Sequence, residues 1–260
     1  MDIVFLIFLF LFGTAIGSFL NVLIDRLPNE KSIMGHSHCD NCKKKLAWYD
    51  MFPIISYFLL KGKCRYCKKK LSFQYPLVEF ITGFMFVLVW ALVLPSETAY
   101  FMKKLVLLGM ISCLIVIFFT DLKYRMIPDS VQIVLFALGF FFPFASQITA
   151  KLFFLRAISA FVVMSPILFL HFITKGRGMG FGDVKLGFII GFLLGLKAGL
   201  ISLYLAFILG AIFGLILIIS KKKKLKSKIA FGPFLVLGML IIMFWKDTIF
   251  LLLNNIYGLY

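Results

Sequence analysis

Residues 178–186 read Gly-Met-Gly-Phe-Gly-Asp-Val-Lys-Leu and stand directly before a long, mostly apolar stretch. This segment places one carboxylate, that of Asp183, behind three alternate glycines. An ionisable side chain at a membrane segment is costly and points to a functional site. Because glycine permits close backbone approaches, we expect this turn to bring another part of the chain against Asp183. The candidate partner is Asp121, which closes the uncharged stretch 105–120.

The composition is that of an integral membrane protein. Hydrophobic residues make up 62% of the chain, charged residues only 15%, and the mean hydropathy is +1.03. The charges cluster between long apolar stretches, as in a polytopic membrane protein built only of α-helices. The net charge of +17 therefore does not indicate nucleic-acid binding. Lysine and arginine near membrane ends set orientation and attract anionic lipid head groups, and lipids are the partner we expect for them.

Eight apolar stretches are candidate transmembrane helices. They cover residues 3–24, 76–94, 101–120, 129–150, 152–174, 184–196, 198–220 and 231–254. The first is longer than the core of a typical signal peptide and lacks a basic start, so we interpret it as a retained span. The sixth is short, at about 13 residues against the roughly 17–25 that a crossing needs, and it is tilted, buried or partly re-entrant.

Basic residues are distributed unevenly between the two sides of this eight-span topology. One side carries 21 of the 28 lysines and arginines. Short cytoplasmic loops carry the excess of basic residues, so this side is predicted to face the cytoplasm and the N-terminus to face outward, in a bacterial plasma membrane. Both Asp121 and Asp183 then lie at the cytoplasmic membrane edge, where they can meet.

Small residues recur at helical spacing in several of the apolar stretches. Gly13 and Gly17 are four residues apart, as are Gly191, Gly195 and Gly199. Such stripes allow helix backbones to approach closely within a membrane. We expect these glycines to lie at helix contacts and to have no chemical role.

The polar segment 25–75 contains two CxxC pairs. The four thiols are those of Cys39, Cys42, Cys64 and Cys67. Two CxxC pairs at this separation are close to the pattern of a four-thiolate zinc site, which is closed and structural. Disulfides or redox thiols are the alternatives, but bridges are rare on the cytoplasmic side. His36 and His38 adjoin the first pair and are possible replacement ligands.

Two carboxylates about 3 Å apart cannot both ionise easily, so such a pair shares one proton. One acid then serves as a general base toward water and the other as a general acid, which suits metal-free hydrolysis of a peptide bond. Alternatively, Asp121 is merely the first polar residue after a span. Pro128 and Asp129 are typical of a helix start with an acidic cap.

Two other classes of function stay open from the residues alone. Paired acids and glycine-broken spans also build ion pathways, which makes a transporter or proton relay an alternative. Its weakness is that both acids lie at the membrane edge and not at the midplane. A scaffold without catalysis, whose zinc loop recruits a partner, is the other alternative.

The order of several motifs resembles the prepilin peptidases, the GxGD-type membrane aspartic proteases that mature type IV pilins. The segment DLKYRMIPD at 121–129 is followed about fifty residues later by GMGFGDVKL. GSFLNVLIDRLP at 17–28, QYPLVE at 74–79 and FGPFL at 231–235 also match, as do the four cysteines. The resemblance runs from residue 13 to about residue 237.

This resemblance implies a bifunctional enzyme. Its substrates would be type IV prepilins or pseudopilins, cut on the cytoplasmic side and then methylated on the new N-terminal amine with S-adenosylmethionine. The resemblance makes Asp121 and Asp183 the catalytic pair. It makes Gly180, Gly182 and Lys185 the turn around this pair. The implied organisation is a first helix (1–24), a four-cysteine zinc domain associated with methyl transfer (25–75) and a peptidase core (76–260), with Pro128 and Asp129 in support.

The methyl-transfer site has the weakest signal. Asn21 and Arg26 lie at the cytoplasmic end of the first span and Glu79 at the start of the second, so we expect the three to line one polar pocket. Glu79 is otherwise explained as a helix-start charge and Arg26 as an interface anchor. The GxGxxG spacing of a nucleotide-binding loop is absent from the sequence.

Overall fold

The structure is a computed structural model, and it describes residues 3–39, 41–92, 101–144, 150–176, 178–220 and 229–257. Within these ranges the regular structure is helical apart from two isolated β-bridges, His38 to Lys45 and Lys63 to Lys70. The α-helices are α1 (Ile3–Arg26), α2 (Ile55–Leu59), α3 (Gln74–Leu92), α4 (Phe101–Tyr124), α5 (Asp129–Phe144), α6 (Ala150–Ile173), α7 (Phe181–Leu194), α8 (Leu196–Ile219) and α9 (Gly232–Tyr257).

The prediction of an all-helical membrane protein is confirmed, but eight complete spans are not. Among the residues that the structure describes, six helices are long and apolar enough to cross a bilayer, namely α1, α3, α4, α6, α8 and α9. The other two are shorter, with 16 residues in α5 and 14 in α7. Large apolar side chains are exposed along the long helices, including Ile7, Phe154 and Leu215. Lipid tails are the solvent that makes such a surface stable.

The chain divides into two compact units, Met1–Val116 and Ile117–Tyr260. In the first unit α1 packs against α3. A Cβ atom at Gly13 would lie 2.7 Å from the Cα atom of Gly83, and one at Gly17 would lie 2.7 Å from the Cα atom of Glu79. The predicted helix contact at these two glycines is confirmed. The close approach brings the first turns of α3 against the α1 face that carries Asn21.

In the second unit α7 packs against α5, α6, α8 and α9. Gly191 lies at the α6 contact, since a Cβ there would be 2.8 Å from the Cα atom of Ala160. Gly199 also contacts α6, through Val163. The prediction for Gly195 was wrong. Its φ of +79° separates α7 from α8, and no atom lies within 4 Å of the position of its missing Cβ.

The short length of α7 has a second cause at its carboxyl end. The Arg156 guanidinium, from α6, donates to the carbonyls of Phe192 at 3.3 Å and Leu193 at 2.7 Å. These are among the last carbonyls of the helix and have no partner within it. A cation at this end also complements the helix dipole. The apolar stretch therefore stops as a helix at Leu194, well short of a full crossing.

Candidate active site, cysteine cluster and cavity

Asp121 lies in the last turn of α4, which continues to Tyr124, four residues past the predicted end of the span. Its side chain is buried, and Oδ2 accepts the backbone N–H of Gly232 at 2.9 Å. Gly232 is the first residue of α9. The first N–H groups of a helix lack partners within it and carry partial positive charge. The start of α9 therefore stabilises a negative charge on Asp121.

The glycine at position 232 leaves room for the Asp121 carboxylate. A Cβ atom there would lie 2.7 Å from Oδ2 of Asp121 and 3.1 Å from Cδ1 of Ile127. Our expectation was that the glycines before Asp183 would allow the approach to an acid. In the structure it is Gly232, in the segment FGPFL, that lets a distant part of the chain reach Asp121.

Asp183 lies in the first turn of α7, which begins at Phe181, three residues before the predicted start. It is also buried, and Oδ2 accepts the N–H of Gly180 at 2.9 Å. The φ of Gly180 is −74°, which any residue adopts. Gly182 serves packing instead, because a Cβ there would lie 3.2 Å from Cβ of Ile127. The turn thus holds the carboxylate by its backbone and fits closely under the 121–129 segment.

The two acids belong to the same compact unit, and they lie close enough for their negative charges to repel each other. The guanidinium of Arg125 provides positive charge near Asp121. Two buried carboxylates that interact in this way favour a state in which they share one proton. The arrangement can provide one general base and one general acid.

The supporting residues lie beside the pair. α5 begins at Asp129, directly after the buried Pro128. The Lys185 ammonium, on α7, donates to Oδ1 of Asp129 at 2.7 Å. This ion pair is partly exposed and joins the starts of α5 and α7.

Sequence reasoning missed two polar residues of this centre. The buried Gln132, on α5, donates from Nε2 to the carbonyl of Gly182 at 3.3 Å. His171, near the end of α6, hydrogen bonds through Nδ1 to the carbonyl of Met179 at 2.8 Å. Each is a polar residue in a mostly apolar helix, which is the signal that could have identified them. Together they hold the backbone of the turn on both sides of Gly180.

The four predicted cysteines form one cluster in the first unit. Their sulfur atoms all lie within 4.8 Å of one another, and those of Cys39 and Cys67 are 3.8 Å apart. Two thiolates on one tetrahedral zinc, each at about 2.3 Å, would be roughly 3.8 Å apart. All four are free thiols, and among the described residues neither His36 nor His38 belongs to the cluster.

The two CxxC pairs have the same local fold. The N–H of Cys39 donates to the Lys44 carbonyl, and that of Cys64 donates to the Lys69 carbonyl. Lys43 and Lys68, which follow the second cysteine of each pair, both have positive φ, at 57° and 59°. The backbone N–H of Lys69 and the side chain of Asn41 hold the sulfur of Cys67 and lower the pKa of its thiol to about 6. Thiolates are the form that binds zinc, and four sulfur atoms at these distances fit the metal.

The first unit also contains a cavity of about 540 Å³, within the roughly 300–1,000 Å³ of small-molecule sites. Asn21, Arg26 and Glu79, which we expected to share one polar pocket, all line it. Further polar walls come from Ser18, Asp25, Asp50, Tyr57, Arg65 and Tyr75. The cavity extends to the sulfur cluster, because Cys39 and Cys64 are among its lining residues.

Glu79 holds a strained turn in the cavity wall. Its Oε2 accepts the N–H of Ile54 at 2.7 Å, and Ser18 also hydrogen bonds to its carboxylate. Ile54 has φ 60° and ψ −53°, and the N–H of Ile55 bonds back to the Pro53 carbonyl. This is a γ-turn of the rare strained type, in which a β-branched residue is unfavourable. The buried carboxylate therefore keeps Pro53 and Ile54 in an otherwise unfavourable conformation.

Arg26 has a different role from the membrane-interface anchor. Its Nη1 donates to the carbonyls of Ser32, Ile33 and Met34, and its Nη2 donates to that of His36. These four contacts fold the chain between α1 and the first cysteine around one guanidinium. Arg26 thus shapes the cavity wall through the backbone of this loop.

Two family profiles match the chain. Residues 11–93 match the bacterial peptidase A24 N-terminal domain, and residues 107–215 match the type IV leader peptidase family. The first covers the α1 and α3 residues of the cavity and the cysteine cluster. The second covers both buried aspartates.

Relatives that match most of the chain share one description, prepilin leader peptidase/N-methyltransferase. The one from Vibrio cholerae is 31% identical, over 74% of this chain and 78% of its own length. The one from Aeromonas salmonicida is 29% identical, over 92% of this chain and 90% of its own. The one from Bacillus subtilis is 29% identical, over 93% of this chain and 94% of its own length. No solved structure matches the chain.

Proposed function

Because this chain belongs to the type IV leader peptidase family, we propose that it cleaves the leader from type IV prepilins or pseudopilins and N-methylates the residue exposed by the cut. The chain is a multi-pass protein of a bacterial membrane. The observation that carries the peptidase assignment is the pair of buried, interacting carboxylates, Asp121 and Asp183, each held by a backbone N–H. A transporter or a scaffold does not require two such acids to be held side by side.

In the proposed cleavage, one aspartate takes a proton from water as the water oxygen attacks the scissile carbonyl carbon. The other, protonated aspartate donates a hydrogen bond to the carbonyl oxygen and then a proton to the leaving amine. The N–H groups of Gly232 and Gly180 fix the orientation of the two carboxylates throughout. Gln132 and His171 keep the backbone of the turn in place, so the acids need no rearrangement during the reaction.

We propose that this centre faces the cytoplasm and that the N-terminus faces outward, on the basis of the uneven distribution of lysine and arginine. The same basic residues would contact anionic lipid head groups, and we expect no nucleic-acid partner. A substrate whose apolar helix lies in the membrane would then present its leader junction at the inner surface, where Asp121 ends one apolar segment and Asp183 begins another.

For methyl transfer we propose the cavity of the first unit as the site of S-adenosylmethionine. When bound there, this cosubstrate supplies the methyl group. Asn21 and Glu79 would form the polar wall, and Arg26 would maintain the loop that closes it. The cysteine cluster would hold a structural zinc ion, which folds residues 25–75 around the cavity and takes no part in the chemistry. We keep the division into 1–24, 25–75 and 76–260 as the functional proposal.

The test uses purified protein and a synthetic prepilin peptide with a Gly-Phe junction. We expect the wild type to cut after glycine and, with S-adenosylmethionine, to add one methyl group, both read by mass spectrometry. Asp121→Asn and Asp183→Asn should abolish the cut, whereas Asp247→Asn, at an exposed aspartate of the same unit, should not. Cleavage by Asp183→Asn would exclude the proposed pair, and a wild type that never cuts would favour the transporter or scaffold alternatives.

A further inference from the structure

Three polar residues of the cavity form one chain of hydrogen bonds. Asn21 donates from Nδ2 to the backbone carbonyl of Tyr75 at 3.0 Å. The Tyr75 hydroxyl donates to Oδ2 of Asp25 at 2.8 Å. Asn21 and Asp25 are four residues apart on α1, so they lie on the same face of the helix. All three line the cavity.

The amide oxygen of Asn21 has no hydrogen-bond donor among the residues that the structure describes. Asn21 is only 5% exposed, so water does not freely reach this atom. The contact with the Tyr75 carbonyl fixes the amide orientation, because the opposite flip would face two oxygens toward each other. An unsatisfied buried acceptor costs about 1–3 kcal/mol. A ligand that brings an N–H donor to Oδ1 would recover this energy.

Three carboxylates among the described residues line the cavity. Asp50 accepts a hydrogen bond from Nε of Arg65 at 2.7 Å. Glu79 accepts the N–H of Ile54 and stabilises the strained turn. Asp25 accepts a hydrogen bond from the hydroxyl of Tyr75 and lies on the same helix face as Asn21. Asp25 is thus placed to add a negative charge to the acceptor at Asn21.

We propose that Asn21, Tyr75 and Asp25 form an ammonium subsite that binds the N-terminal amine of the methylation substrate and takes up its proton. This inference rests on the proposed methyltransferase function. An ammonium group has three N–H donors and no acceptor, and the subsite offers it the Asn21 amide oxygen and the Asp25 carboxylate. Tyr75 is the positioning residue, since it contacts both partners.

The chemistry requires such a base. An α-amine is largely protonated at neutral pH, because its ordinary pKa is about 7.7–8.0, and an ammonium cannot act as a nucleophile. One N–H proton passes to the Asp25 carboxylate, which frees the nitrogen lone pair. The lone pair forms the new N–C bond to the methyl group as the C–S bond breaks, and the sulfur keeps that electron pair. Charge balances, because the sulfonium becomes a neutral thioether as the amine becomes a methylated ammonium.

The ammonium of the methyl donor is the other possible occupant of this subsite. In the donor, however, a carboxylate adjoins the ammonium, so a site for that end needs hydrogen-bond donors beside the acceptors. One N–H of the Asn21 amide and the Tyr75 hydroxyl donate within the chain of hydrogen bonds. The groups that the subsite offers to a ligand, the Asn21 amide oxygen and the Asp25 carboxylate, are both acceptors, which suits an isolated ammonium such as a peptide N-terminus.

The experiment uses full-length protein in nanodiscs and a pre-cut peptide that begins with phenylalanine, as the free amine or N-acetylated. Affinity is measured by fluorescence anisotropy for each peptide and by equilibrium dialysis for S-adenosylhomocysteine. The variants are Asp25→Asn and Tyr75→Phe, and Glu30→Gln is the control at an exposed acid of the same unit. Thermal unfolding of each variant reports that the fold is intact.

We expect the wild type to bind the free amine at least tenfold more tightly than the acetylated peptide, and Asp25→Asn to lose this preference. S-adenosylhomocysteine affinity should stay unchanged, and methylation by Asp25→Asn should recover partly at high pH, where the amine is deprotonated. Weakened S-adenosylhomocysteine binding with the amine preference retained would assign the subsite to the donor and overturn the proposal. A wild type that binds both ligands but never methylates would contradict the proposed function and not the subsite.

Discussion

The two compact units use the same device, a buried carboxylate held by a backbone N–H, for different ends. In the second unit Gly232 and Gly180 hold Asp121 and Asp183, whose negative charges repel each other. In the first unit the N–H of Ile54 donates to Glu79, and this hydrogen bond stabilises a strained turn in a cavity wall. In the proposed function the two interacting acids serve proton transfer, whereas the single acid stabilises a turn in the wall of a binding cavity.

The units also differ in what stabilises their fold. The second is built of apolar helices around α7, where small residues allow close packing in lipid. The polar part of the first is short, and four sulfur atoms draw it together. Segments of about 50 residues seldom bury enough apolar surface to fold without such a staple. The two activities should therefore respond separately to damage, which the following predictions test.

The largest effect is expected for Asp183→Asn. An asparagine cannot take or give the proton, so the cleavage rate should fall by about 10³-fold or more. Methylation of a pre-cut peptide should stay close to the wild-type rate, because the cavity lies in the first unit. Both rates are measured by mass spectrometry on the same preparation. Equal loss of both activities would show that the two sites do not work independently.

The next effect concerns the cysteine cluster. Cys64→Ser removes one of four ligands, so bound zinc, measured by inductively coupled plasma mass spectrometry, should fall from near one per chain to almost none. Because the metal would fold the loop that lines the cavity, methylation should fall at least tenfold. Cleavage of a full prepilin peptide should change less than threefold. Cys113→Ser, at a buried thiol outside the cluster, is the control and should retain the zinc.

A smaller effect is expected for Gly232→Ala. The added methyl would lie 2.7 Å from Oδ2 of Asp121, so the carboxylate must move by several tenths of an ångström. Displacement of a catalytic group can cost about 10²-fold in rate, and we expect cleavage to fall by up to this amount with little change in substrate affinity. Gly214→Ala is the matched control, since the nearest atom to its Cβ, Cδ1 of Ile229, is 3.7 Å away. Equal cleavage rates for the two variants would show that the close contact of Gly232 with Asp121 does not affect cleavage.

The smallest effect is expected for the ion pair between Lys185 and Asp129. Both side chains are substantially exposed, at 40% and 63%, so solvent screens their attraction. A double-mutant cycle with Lys185→Met and Asp129→Asn should give a coupling of about 0–1 kcal/mol in stability, measured by thermal unfolding at low salt. Raising the salt concentration should reduce it further. A coupling well above this range would mean that solvent screens the pair much less than its exposure indicates.

Local patterns in the sequence were enough to predict the helices, the membrane character, the cysteine cluster and the two acids as a pair of interest. A helix needs only its own backbone and an apolar surface, and a CxxC turn closes within a few residues, so neither depends on distant parts of the chain. The prediction of eight complete spans needed more than local patterns. The length of α7 depends on Arg156, which lies on α6 and caps the carbonyl of Leu193, 37 residues later in the chain.

Only the tertiary structure decided which residues surround the acids and line the cavity. Gly232 reaches Asp121 across 111 residues, Gln132 reaches Gly182 across 50, and Tyr75 reaches Asp25 across 50. No periodicity links such positions, because the contacts arise when helices pack and bring separate turns together. The sequence determined which side chains carry chemistry. Packing between helices decided which of them meet, since hydrogen bonds act over about 3 Å and the chain must first be folded to bring them within that distance.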